Sequence, residues 1–352
     1  MATKVKSKQG DLEGDFYRIL EEGYQGEAHG EYDYLILFSG GKDSTYLAHK
    51  LRQAKGGRVC LLAIDNGIPA NPPKAGAGNC GNMCLFTAGG ESENRSLSEV
   101  VTKVSSQLEM DLFIYRPPVE HFRNYYKFLI MEDLVKEVDS NPLCFFCGRY
   151  FMALGLDFAA KHNIPFVFYG ATPMQVNQEA PPRTFREIEL FDMVSRRRLL
   201  GAYKKFQESE RYQKDPLIRK IIDRTFYSPQ GVKLMFPYLY IDYNIDLIKS
   251  TLEKEYGWKN PTGTISNVQY ITSGCPMVLL FGLLSKVRSF GIHEMEQMKQ
   301  DYLAGGLSTE AYDYNKDIFE NLMSGQIEPK VEELAHLIGV EDILLKKSPT
   351  QN

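Results

Sequence analysis

No stretch of this sequence approaches the ~18 consecutive apolar residues that a membrane-spanning helix requires. Its first residues, MATKVKSKQGDLEGDF, are polar and lack the apolar core of a secretory signal. Together these absences predict a cytoplasmic protein with no membrane partner. Strong charge of one sign is missing as well. A net charge of −4 over 352 residues exerts no overall pull towards nucleic acid or anionic lipid. Small-molecule chemistry is therefore expected, and a tRNA partner would need a local basic patch. Cysteine is sparse, and in a cytoplasmic chain the six present point to metal ligands, persulfide carriers or core residues rather than disulfides. None of His29, His49, His121, His162, His293 and His336 forms a recognisable ligand pair, so packing or surface roles are expected of each. Internal repeats and low-complexity tracts are absent too.

What is present reads as alternating strands and helices. Hydrophobic residues at 43% and charged residues at 24% suit a globular chain with a sizeable core. Residues 1–30 read as a loosely ordered lead-in with one short helix near Phe16–Leu20. Tyr34–Phe38 and Val59–Ile64 are continuous apolar runs, as expected of strands buried on both faces. Leu112–Tyr115 and Pro165–Tyr169 read as a third and a fourth strand. Helices are predicted over Ser44–Arg52, along Leu97, Val100, Val101, Val104 and Leu108, and over 119–137 and 148–162. Residues 68–92, rich in Gly, Pro, Asn and Ala, form a long loop of the kind that is usually functional. This pattern predicts an α/β fold with a doubly wound parallel sheet over 31–180 and a helical region over 181–352. In such a sheet the ligand lies beyond the carboxyl ends of the strands, where Asp65, Gly170 and the loop after Phe38 all fall.

That loop is Ser39-Gly40-Gly41-Lys42-Asp43-Ser44. Adjacent glycines between a strand and a helix let the backbone turn tightly and approach a polyanion. The following helix presents free N–H groups and the positive end of its dipole to that anion. Lys42 adds a point charge, and Ser39, Ser44 and Thr45 offer hydroxyls. The pattern is not G-x-x-x-x-G-K-[ST], in which the lysine directly precedes the Ser/Thr.

The hexapeptide resembles the PP-loop signature of the N-type ATP pyrophosphatases, whose fold is the adenine nucleotide α-hydrolase-like (HUP-type) α/β sheet. The resemblance implies cleavage of ATP between its α and β phosphates, with Mg²⁺. A substrate oxygen attacks the α-phosphate, pyrophosphate leaves, and nitrogen or sulfur displaces the adenylate. It implies that Lys42, Asp43 and Ser44 are catalytic. Phe38, Ser39, Gly40 and Gly41, with the same three residues, would line the pyrophosphate site. Asp65 would meet the adenosine, and Gly170 would let the backbone approach the nucleotide.

Further segments look like the N-acetyl sugar amidotransferase branch. They include Tyr32-Asp33-Tyr34, Tyr115-Arg116-Pro117-Pro118, Tyr169-Gly170-Ala171-Thr172-Pro173 and Glu255-Tyr256-Gly257-Trp258-Lys259-Asn260-Pro261. That branch implies an amidotransferase acting on a sugar or nucleotide-linked metabolite, with ammonia from a separate glutaminase subunit. The cysteines leave a second reading open. Cys144-Phe145-Phe146-Cys147 before a helix can grip a metal or carry a thiolate, and Cys275 is a candidate third ligand. This set is similar to that of the tRNA 2-thiocytidine synthetases, which implies an iron–sulfur cluster and sulfur transfer to tRNA or a metabolite; zinc is the other metal expected of such cysteines. Cys80 and Cys84 are weaker candidates, and Cys60 reads as core. The basic stretch 186–226 reads as a solvated helical face or as a guide for an anionic substrate.

Overall fold

The structure is a computed structural model. It describes residues 9–24, 30–53, 57–66, 97–132, 142–171, 201, 203–226, 231–258, 303 and 329–342. Strands β1 (Tyr34–Leu37), β2 (Val59–Ile64), β3 (Asp111–Tyr115), β4 (Phe166–Tyr169) and β5 (Lys233–Met235) form one sheet in the order β3-β2-β1-β4-β5. Every neighbouring pair is parallel. The apolar runs of β1, β2 and β4 are buried at each position because helices cover both faces.

Side chains of successive strand residues point to opposite faces. Leu35, Leu37, Leu62, Ile64, Val167 and Tyr169 therefore join one core. That core is shared with α4 (Val119–Met131), α5 (Pro142–Lys161), α7 (Pro216–Phe226) and α9 (Pro329–Ile338). Ile36, Phe38, Leu61, Ala63, Phe166 and Phe168 join the other core. Its helices are α1 (Gln9–Tyr24), α2 (Lys42–Arg52), α3 (Leu97–Leu108) and α8 (Ile245–Tyr256). The sheet is doubly wound, as the sequence predicts. Among the described residues, no helix is long and apolar enough to cross a membrane.

Three features depart from expectation. The lead-in is not loose where it is described. Residues 9–24 form α1, which seats fully buried Phe16 edge-on to Phe168 and sets Leu20 in the same core. Burying each such side chain against the sheet contributes roughly 1.5–3 kcal/mol. Helix α5 begins at Pro142, so Cys144 and Cys147 lie within its first two turns rather than before it. A fifth strand, Lys233–Met235, joins the sheet beside β4. It has three residues, one of them an exposed lysine, and such a run shows no period of its own. The expected boundary at 180/181 falls among 172–200, outside the described residues. Beyond it the chain returns to complete the sheet.

The described part of the basic stretch is α6 (Glu210–Lys214), α7 and a helical turn at 203–208. Ile218, Ile221 and Ile222 face the core. Lys214 pairs with Glu210, and Arg224 pairs with Asp157 of α5. Asp33, also buried, holds Arg58 at 2.7 and 3.0 Å, which gives the Tyr32-Asp33-Tyr34 segment a structural role at the start of β1.

Candidate phosphate-binding site

Strand order reverses between β1 and β4, and at such a switch point the two following loops diverge and leave a crevice. Ser39–Ser44 follows β1, and Gly170 follows β4. Gly40 turns the chain with φ of 71°, in the left-handed region that favours glycine. Gly41, extended at φ −75° and ψ 165°, is the N-cap of α2 and supplies no side-chain cap. The helix starts two residues earlier than the sequence suggests, so Lys42 and Asp43 lie in its first turn. The first amides of a helix have no intrahelical acceptor, and Gly41 has no side chain to supply one.

The loop is braced from within. The Ser44 hydroxyl donates to the Gly41 carbonyl at 3.2 Å and accepts from the Ser39 amide at 3.3 Å. The two serine hydroxyls are 3.1 Å apart, and the Gly41 amide donates to Ser39 Oγ at 3.3 Å. A Cβ built on Gly170 would stand 3.4 Å from the Ser44 amide nitrogen. The end of β4 thus lies directly over the first turn of α2. A side chain at 170 would crowd the Ser44 amide.

Asp43 is fully buried, and its carboxylate accepts from Lys42 Nζ at 2.7 and 2.8 Å. Tyr243 touches both charges. Its hydroxyl donates to Asp43 Oδ1 at 2.9 Å and accepts from Lys42 Nζ at 2.9 Å, with the ammonium 5.6 Å from its ring centroid. Tyr238 donates to the Asp43 carbonyl at 2.6 Å, and buried Trp258 donates its indole N–H to the Gly40 carbonyl at 3.4 Å. Burial, then the Asp43 charge and hydrogen bond, push the Tyr243 phenol far above its ordinary value, so it stays a donor. Tyr238 is raised by burial and then by Asp43. A second ammonium, that of Lys249 on α8, is held below the usual lysine value by burial and then by the Lys42 charge.

Sequence reasoning missed Tyr238, Tyr243 and Lys249, which lie about 200 residues from the loop they serve. Trp258 was visible only as part of a segment resembling a family. Phe38 contributes backbone alone. Its ring is fully buried in the core, and its amide donates to Leu62. Asp65 ends β2 as expected, and its carboxylate accepts from Arg116 at 2.8 Å. Arg116, at the end of β3 and more than half exposed, is a further cation at this edge of the sheet.

No protein-family model matches this sequence, and no curated protein does. Among solved structures, the chain is similar to the NH3-dependent NAD synthetase of Campylobacter jejuni. The identity is 13% and the TM-score 0.30, over 64% of this chain and 99% of that one. So distant a likeness carries no argument; the fold stands on its own strand order.

The expected metal centre is described only in part. Cys147 is buried, with the Tyr126 hydroxyl 3.1 Å from its sulfur and the Asn66 amide donating to that hydroxyl at 3.0 Å. The Cys144 side chain, Cys275, Cys80 and Cys84 lie outside the described residues. Among the described residues, no three His, Cys, Asp or Glu side chains gather as metal ligands. Cys60 is core, as expected, and burial pushes its thiol far up. His49 packs on α8 through the Tyr256 hydroxyl at 2.8 Å, and His162 stacks on Phe158.

Proposed function

We propose that this chain is an ATP-dependent adenylating enzyme of the PP-loop type, which releases pyrophosphate and replaces a substrate oxygen with nitrogen. One observation carries the reading. A Ser-Gly-Gly-Lys-Asp-Ser loop leads from β1 into the uncapped first turn of α2, at the switch point of a parallel sheet. The amides of Gly40, Lys42, Asp43 and Ser44 and the Lys42 ammonium hold the β and γ phosphates, and Asp43 orients Lys42. Ser39 and Ser44 keep the loop in shape. Asp65, with Arg116, borders the nucleoside side, and Gly170 keeps the approach to the Ser44 amide open. Mg²⁺, when bound with the nucleotide, neutralises phosphate charge. Catalysis on this reading is positioning and charge stabilisation, with no covalent step on the protein. The acceptor is a sugar or nucleotide-linked small molecule, and a glutaminase partner supplies the ammonia.

The test is product analysis. ATP, Mg²⁺, ammonia and an acceptor should give AMP and pyrophosphate, and Lys42→Met should lose about 10²-fold or more of the rate, the scale of removing one preorganised charge-stabilising donor. ADP with orthophosphate as products would refute the assignment.

A second reading, sulfur transfer, is favoured by Cys147. Through Tyr126 and Asn66 its thiol is linked to the carboxyl end of β2, the edge of the sheet where the loop also lies. Anaerobically purified protein carrying iron and sulfide, and losing both in Cys147→Ala, would favour this reading over amide transfer.

A further inference from the structure

The polar cluster around Asp43 holds more than a catalytic carboxylate needs. A buried carboxylate beside a single ammonium forms a closed ion pair, and the cation's charge is then largely spent on its partner. Here a neutral donor joins the pair, while Lys42 Nζ stays 2.7 and 2.8 Å from the carboxylate oxygens. The Tyr243 hydroxyl gives its proton to Asp43 Oδ1 and takes an N–H from Lys42, so the carboxylate is shared between a phenol and an ammonium. Asp43 is fully buried, whereas the Lys42 side chain keeps 16% of its surface exposed. The ammonium is therefore fixed by Asp43 and Tyr243, while part of the Lys42 side chain remains exposed.

We propose that Tyr243 is a positioning residue of the phosphate loop. By satisfying part of the Asp43 charge and bracing Lys42, it leaves the ammonium fixed and under-neutralised for the diphosphate of the nucleotide. This rests on the loop being a diphosphate site. Tyr243 arrives on the segment between the 3₁₀ turn at Pro237–Leu239 and α8, and Tyr238, whose ring lies 5.1 Å edge-on from that of Tyr243, anchors the same segment to the Asp43 carbonyl. The chain that completes the sheet at β5 thus turns at once to set the electrostatics of the loop after β1.

The experiment is a double-mutant cycle on binding of inorganic pyrophosphate, measured by calorimetry on the full chain. Wild type, Tyr243→Phe, Lys42→Met and the double variant are compared, with melting temperatures recorded in parallel. Tyr243→Phe should weaken binding about tenfold in the wild-type background, the low end for losing a partner one step behind a charge-bearing group. In the Lys42→Met background it should change binding by less than about twofold, because the residue through which it acts is gone. Penalties that multiply independently would overturn the proposal, as would wild-type affinity in Tyr243→Phe. Failure of the wild type itself to bind pyrophosphate would remove the diphosphate site and the proposal with it, an outcome distinct from the other two.

Discussion

Asp43 and Lys42 are adjacent, yet the fold treats them differently. Asp43 has no exposed surface, and its side chain and carbonyl are both claimed by tyrosines from the far end of the sheet. Lys42 stays partly exposed. Asp43→Ala should therefore cost about 3 kcal/mol of stability by breaking a buried pair, besides abolishing pyrophosphate release. Lys42→Ala should lose the activity with a smaller fall in melting temperature. Chemical denaturation of the two variants measures the contrast. Gly40 makes a separate case. With φ at 71°, an alanine there costs about 1–2 kcal/mol and tilts the amides that follow. Gly40→Ala should lower the melting temperature and weaken pyrophosphate binding together, and calorimetry on one sample reads both.

Helices α2 and α8 meet along a seam where His49 and Tyr256 join at 2.8 Å, and this contact fixes the height of α2 against the segment carrying Tyr243. Burial, reinforced by Lys50 and Arg52 and opposed by Glu255, holds the His49 pKa below its ordinary 6.5. The folded chain then binds fewer protons than the unfolded chain in the window below 6.5, so this contribution to stability is complete above that pH and is lost as pH falls through it. Melting temperature should decline on acidification below about 6.5. His49→Gln should reduce the slope without abolishing it, because His121 is lowered by burial in the same sense. A pH series of thermal melts checks this. Helix α1 shows a different limit of reading by element. Its sequence spaces Leu12, Phe16, Ile19 and Leu20 at helical intervals amid charged residues, and Phe16 and Leu20 are fully buried. Its burial depends on a groove that only the finished sheet provides.

For the molecule as a whole, the site draws on residues from Ser39 to Trp258 and exists only in the folded chain. A ligand that binds it should stabilise everything at once. At a hundred times its Kd, ATP with Mg²⁺ should add about 2.7 kcal/mol, seen as an upward shift in melting temperature. In Lys42→Met at the same concentration the shift should largely disappear.

Much of this was legible along the chain. Continuous apolar runs at Tyr34–Leu37 and Val59–Ile64, alternating with segments of helical period, suit strands buried between two layers of helices, so the alternation predicted the sheet and its double winding. The Ser39–Ser44 loop declared itself because its chemistry is local: paired glycines, a lysine and hydroxyls, all within one turn of a helix start. Tyr238, Tyr243 and Trp258 could not be read the same way. A tyrosine carries no mark of which backbone carbonyl or carboxylate its hydroxyl will reach, and β5 is too short to announce the turn that delivers them. That choice belongs to the parallel sheet. By placing β4 beside β1 and β5 beside β4, it brings the residues after Met235 back over the loop and lets the buried Asp43 carboxylate take one partner from its own loop and another from about 200 residues along the chain.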